Sequence, residues 1–134
     1  MTKEDLQEQL KICDDELKKE LQIVLEKHEY NPLNILRICV ASLLGVNEID
    51  LLTNSKKTQH SQARWFFWMA YKRMTNETYE RMAQLFSIEG HHFHTQSIIN
   101  SVGQMNRLVQ KDRIWARRWE KIKEIINIIQ NGRY

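Results

Sequence analysis

The sequence predicts an all-helical protein, and three observations lead to that prediction. Only four glycines and one proline occur in 134 residues, so the turns that strands and hairpins need are scarce. Good helix formers such as Glu, Lys, Leu, Gln and Arg are plentiful. Apolar residues recur at steps of three and four along most of the chain. We therefore expect a bundle of about six or seven helices, with an extra helix at each end.

Residues 1–30 are expected to form an acidic amphipathic helix. This segment holds five lysines against nine acidic residues, a balance of −4. Its apolar stripe is spaced close to a heptad, so it fits packing within the chain or pairing with a second copy or another protein. The stripe consists of Leu6, Leu10, Cys13, Leu17, Leu21 and Val24.

Residues 31–110 are expected to form the core, and residues 111–134 a basic amphipathic helix. Asn31 and Pro32 are typical of a helix start, and Gly45 of a helix end. Trp115 and Trp119 lie on the apolar side of the last helix. The other predicted elements are a short helix at 48–52, an exposed loop at 53–60, an aromatic-rich helix at about 61–74, a short helix at about 78–86, a turn at 87–94 and a helix at about 95–109.

Two stretches of the chain are strongly basic. Residues 51–76 contain five Lys and Arg and no acidic residue, a balance of +5. Residues 103–123 contain seven basic residues against Asp112 and Glu120, again +5. Such stripes attract polyanions, of which DNA is the commonest in a cytoplasm, although helix faces that are merely solvated can have the same composition.

Several other classes of protein are disfavoured. No apolar run is long enough to span a bilayer, and the polar, acidic start lacks a secretory signal. Cys13 and Cys39 fall at apolar positions, which predicts buried thiols in a reducing compartment. Neither a phosphate-binding GxxxxGK[ST] loop nor a GxSxG nucleophile elbow occurs, so we expect no enzyme, no catalytic residue and no cofactor. His91, His92 and His94 lack nearby cysteines or paired carboxylates, so a metal site is not expected.

The two helices at about 78–86 and 95–109 are typical of a helix-turn-helix. Ala83 is small enough to stand where two short helices meet. The second helix starts with His94, Thr95, Gln96 and Ser97, whose side chains can hydrogen-bond to base edges in a major groove. Double-stranded DNA is therefore the expected partner. RNA is disfavoured because its A-form major groove does not admit a helix.

The stretch from Gly45 to about Val102 resembles the C-terminal DNA-binding domain of the bacterial replication initiator DnaA, which is related in shape to the Trp repressor. Order and spacing of the motifs agree through Phe86. The turn from Phe86 to Ser97 is about four residues longer than in that family, and the family's Arg-Asp pair is replaced by His92-Phe93 or Phe93-His94. The ATPase module is missing. The matching motifs are Leu44-Gly45-Val46, Asp50-Leu51-Leu52, Ser55-Lys56-Lys57, Ala63-Arg64, Met74-Thr75-Asn76, Leu85-Phe86 and His94-Thr95-Gln96-Ser97.

The resemblance implies a cytoplasmic, nucleoid-associated DNA-binding protein, such as a replication or transcription accessory protein of a phage or mobile element. It implies that Lys56, Lys57 and Arg64 contact the DNA backbone or minor groove. It further implies that the start of the second helix faces the bases. The base-facing residues are His94, Thr95, Gln96 and Ser97, and His92 and Asn100 are further expected DNA contacts. The alternative function is a helical adaptor that binds another protein through its acidic N-terminal helix.

Overall fold

A computed structural model describes residues 32–87 and 90–131, and over these ranges the chain is helical without any β-strand. The predicted all-helical class is thus confirmed for this part of the chain. The acidic segment 1–30 lies outside the described residues, as does the predicted cap Asn31. The helices are α1 (Pro32–Leu44), a 3-10 helix (Glu48–Leu51), α2 (Thr58–Thr75), α3 (Tyr79–Phe86), α4 (Thr95–Lys111) and α5 (Arg113–Asn131).

Helix α2 lies at the centre of the core. It packs against α1, α4, α5 and the 3-10 helix, so its side chains are buried on several sides. Phe66, Phe67 and Ala70 are fully buried. Consecutive large apolar side chains cannot all point to one neighbour, so the run of bulky residues along this helix favours such a central position.

Aromatic pairs connect α2 to the elements around it. The Phe66 ring centroid lies 5.7 Å from those of both Trp115 and Trp119 on α5. Phe67 lies 5.3 Å from Phe86 on α3. These separations are within the range in which ring pairs add to the stabilisation that burial provides. The two tryptophans, on the apolar side of α5, are half-buried against the core.

Local capping explains where several helices begin and end. Asn76 ends α2 in the left-handed conformation at φ 57°, which asparagine tolerates better than most residues. The Thr78 hydroxyl accepts a hydrogen bond from the Arg81 backbone N–H (3.1 Å) and so begins α3. Asp112 separates α4 from α5, because its Oδ1 accepts from the backbone N–H groups of Ile114 (2.9 Å) and Trp115 (3.1 Å).

The start of α2 differs from the sequence prediction. The helix begins at Thr58 rather than at about residue 61, and its first turn is closed by the Ser61 backbone N–H donating to the Lys57 carbonyl. Thr58 and Gln59 are exposed and have no apolar anchor. The additional turn is therefore stabilised by its own hydrogen bonds and by continuation of the buried helix, which apolar periodicity does not detect.

Helix α5 closes the core from the C-terminal side by packing against α1, α2 and α4. Its buried face is formed by Ile122, Ile125, Ile126 and Ile129. Near its end, Gln130 Nε2 donates a hydrogen bond to the Met74 carbonyl (2.9 Å) in the last turn of α2. In the described part of the chain, no helix combines the length and the apolar character needed to cross a bilayer.

Candidate nucleic-acid interface

The loop that carries Lys56 and Lys57 is fixed to α2 through Ser55. The Ser55 carbonyl accepts hydrogen bonds from Arg64 Nη2 (2.8 Å) and from the Ser61 hydroxyl (3.3 Å). The Ser55 hydroxyl lies 3.0 Å from His60 Nδ1 and also accepts from the Lys57 backbone N–H (3.3 Å). Both lysine side chains are exposed. The loop thus holds two cations at a defined place beside the first turns of α2.

A contact between Asn54 and His91 joins this loop to the turn before α4. Asn54 Oδ1 lies 2.8 Å from His91 Nδ1, and the Asn54 backbone N–H donates to the same nitrogen at 3.2 Å. With Nδ1 unprotonated, the ring accepts from the backbone; with Nδ1 protonated, it donates to the side-chain oxygen. Either state connects two segments that are 37 residues apart in the chain.

The first two turns of α4 present polar side chains to solvent. His94, Gln96, Ser97 and Asn100 are exposed, and Thr95 is half-buried. Gln96 Nε2 donates to Asn100 Oδ1 (3.0 Å), so these two amides form a pair on the surface. The His94 side chain, at the N-cap position, makes no capping hydrogen bond. The N–H groups of the first turn are therefore left without a side-chain acceptor, an arrangement that suits an anion.

The turn before α4 alternates between exposed and buried residues. His92 and His94 are exposed with ring centroids 4.6 Å apart, whereas Phe93 between them is buried. Phe93 packs edge-on against Trp68 of α2 at 5.1 Å, and its backbone N–H donates to the Ser87 hydroxyl (3.0 Å). Phe93 therefore anchors the turn and directs both imidazoles outward. Within the described ranges, no group of three or more His, Cys, Asp or Glu could hold a metal ion.

These segments surround one cavity of about 340 Å³, which we call the α2–α4 cavity. Five residues predicted from the sequence line it, whereas Lys57, Thr95, Gln96 and Asn100 do not, and Thr95 lines a separate cavity beside α3. Lys56, Arg64 and part of the polar start of α4 thus lie around one opening. The lining residues are Asn54, Lys56, Ser61, Arg64, Trp65, Trp68, His92, Phe93, His94, Ser97 and Ser101.

Arg64 occupies a different environment from the one expected of a surface contact. Its side chain is only 6% exposed, and its guanidinium carbon lies 5.8 Å from the centre of the Phe93 ring. Burial lowers the pKa of the Arg64 guanidinium from its ordinary value, because the charged form loses its hydration. One of its nitrogens anchors Ser55, as described above. Arg64 is therefore both a support for the lysine loop and part of the cavity wall.

Sequence reasoning missed four residues that shape this region: Asn54, Trp68, His91 and Phe93. The Asn54–His91 contact has no local signal, since the two residues are distant in the chain. The signal for Phe93 was present, because a single aromatic residue between polar neighbours in a turn is often an anchor that packs on the core.

The second basic stripe lies towards the other end of α4. Lys111 and Arg113 are exposed at the junction with α5, about 24 Å along the helix axis from Thr95. On α5, Arg118 stacks over the Trp115 ring at 4.6 Å, which covers part of that indole.

Comparison with protein-family models, with curated proteins and with solved structures finds no match to this chain.

Proposed function

We propose that the protein binds double-stranded DNA through the surface around the α2–α4 cavity. The observation that carries this proposal is the Asn54–His91 contact, which brings the Lys56–Lys57 loop and the start of α4 to one surface. In this proposal α3 and α4 form a helix-turn-helix, and α4 is the helix that enters the major groove. The same elements underlie the resemblance to the DnaA DNA-binding domain.

The chemistry of the surface supports a division of roles. Exposed lysines next to a helix start are suited to phosphate contacts, which position a protein on a duplex without reading its sequence. Gln96 and Asn100 carry amides that can pair bidentately with adenine, and Ser97 is short enough to approach a base edge. We assign Lys56 and Lys57 to phosphates beside the groove, and His94, Thr95, Gln96, Ser97 and Asn100 to the bases. His92 would extend this surface at the turn.

The biological role within this proposal is that of a cytoplasmic, nucleoid-associated accessory protein in replication or transcription of a phage or mobile element. This part rests on the resemblance.

The proposal is tested by the salt dependence of binding to a duplex. Each phosphate contact adds about 0.9 to the slope of log affinity against log salt concentration. The double variant K56E/K57E should therefore lower this slope by about 2 and weaken binding on all sequences. K111E/R113E changes the charge equally at the far end of α4 and is the matched control. Fluorescence anisotropy with a labelled duplex measures both variants, and circular dichroism checks that they fold.

Base contacts are tested by separate substitutions. T95A and Q96A should change which duplexes are selected from a random pool more than they change total affinity. If the wild-type protein is not retained on duplex DNA even at low salt, DNA binding is refuted. The remaining function would then be the adaptor, whose proposed partner-binding segment, residues 1–30, lies outside the described residues.

A further inference from the structure

Three buried hydrogen-bond donors in the α2–α4 cavity wall have no acceptor. In the part of the chain that the structure describes, the buried side-chain polar atoms without a partner are Arg64 Nε, Arg64 Nη1 and Trp68 Nε1. Arg64 and Trp68 are four residues apart on α2, so they lie on the same face of the helix. Both side chains are more than nine-tenths buried, and both line the cavity. Buried donors are normally satisfied, so such a concentration indicates a missing acceptor.

The cavity also lacks a negative charge to balance Arg64. Among the described residues, no aspartate or glutamate lines it. The carboxylates of the 3-10 helix contact other basic residues. Asp50 lies 3.4 Å from His60, and Glu48 lies 3.4 Å from Arg37. A buried guanidinium without a counter-ion is unfavourable, and an anion that enters the cavity would relieve this.

We propose that the α2–α4 cavity is a binding site for a single phosphate group. A phosphate has several acceptor oxygens, which match the planar fork of Arg64 and the indole N–H of Trp68. Lys56 and the hydroxyl of Ser101 supply further donors in the cavity lining. Phe93 packs against both Arg64 and Trp68, so a rotation of this ring or of the guanidinium admits the ligand to the buried nitrogens.

The phosphate group that this site binds has two sources, the backbone of DNA and a small molecule that carries a phosphate. For the first source, the inference rests on the proposed function, and the cavity binds one phosphate of the DNA backbone at a fixed position. For the second, it holds without DNA binding. The volume of about 340 Å³ accommodates a phosphate together with part of the group that carries it.

Inorganic phosphate is the probe for the site itself. In the full chain with ¹⁵N-labelled tryptophan, titration with sodium phosphate should shift the Trp68 indole resonance and raise Tm by several degrees relative to sodium chloride at equal ionic strength. W68F identifies this resonance and should bind phosphate about tenfold more weakly. W115F is the matched control, because Trp115 lies on α5, does not line the cavity and has no unsatisfied buried nitrogen. It should leave phosphate affinity unchanged.

The role of Arg64 is tested with R64Q, using R73Q on the same helix as the control, since Arg73 is exposed. R64Q should lose at least tenfold in phosphate affinity and R73Q nothing. If R64Q does not fold, the comparison of W68F with W115F decides whether the cavity binds phosphate. If phosphate and chloride have identical effects on the wild-type protein, the inference is overturned.

Duplex DNA separates the two proposals. Phosphate binding by a wild-type protein that ignores DNA supports the site and refutes the proposed function. DNA binding by a protein that does not respond to inorganic phosphate, and whose W68F variant binds duplex normally, supports the proposed function and overturns the site. If inorganic phosphate and duplex DNA both bind and compete with each other, the site binds a phosphate of the DNA backbone.

Discussion

Phe66 attaches the C-terminal helix α5 to the centre of the core, and replacing it by leucine tests that attachment. The ring is fully buried and pairs with both Trp115 and Trp119 at 5.7 Å. Each ring pair contributes about 0.5–1.5 kcal/mol beyond burial, so Phe66→Leu should lower the free energy of unfolding by about 2 kcal/mol. Phe67→Leu is the matched control, because Phe67 is equally buried but has one ring partner, Phe86. It should lose about 1 kcal/mol.

Urea denaturation followed by circular dichroism measures these differences, and amide hydrogen exchange locates them. Exchange should accelerate along α5 in the Phe66→Leu variant, whereas in the Phe67→Leu variant it should accelerate along α3. The reasoning is refuted if Phe67→Leu is the more destabilising change, or if α5 exchanges at the wild-type rate when Phe66 is replaced.

Two further predictions concern backbone groups held by a single side chain. Ser87→Ala should lower the free energy of unfolding by about 1–2 kcal/mol, because the backbone N–H of buried Phe93 loses its acceptor. Ser87→Thr keeps the hydroxyl and is the control. An equal loss of stability in both variants would argue against the hydrogen bond between Phe93 and Ser87. Asp112→Ala should lower it by about 1 kcal/mol through loss of the α5 cap. Asp112→Asn keeps an acceptor and should retain most of that stability; urea midpoints measure all four variants.

Most of the helices could be predicted because their signals are local. The apolar periodicity of a helix lies within the element that it defines. The start of α2 could not be predicted in this way, because Thr58 to His60 have neither an apolar stripe nor a side-chain cap. Their helical state follows from the turn that comes after them.

In the candidate site, too, features with a local signal could be predicted and features that depend on tertiary contacts could not. Exposure of Gln96 and Asn100 could be predicted, since they lie opposite the apolar stripe of α4. The burial of Arg64 could not, because it depends on the carbonyl of Ser55 and on the ring of Phe93, which reach it only when the chain has folded. From the sequence alone, a basic residue that follows a basic loop is expected to be an exposed surface contact. Only the tertiary structure distinguishes an exposed arginine from a buried one at this position.

The packing of α5 on α1 and α2 limits how early the core can close during translation. The fifty-odd residues between Phe66 and Trp119 take roughly 3 to 10 s to synthesise at about 5–20 residues per second. Until α5 leaves the ribosome, one side of the Phe66 ring lacks its tryptophan partners. During these seconds the nascent chain exposes apolar surface, and a chaperone that covers such surface would act on it then.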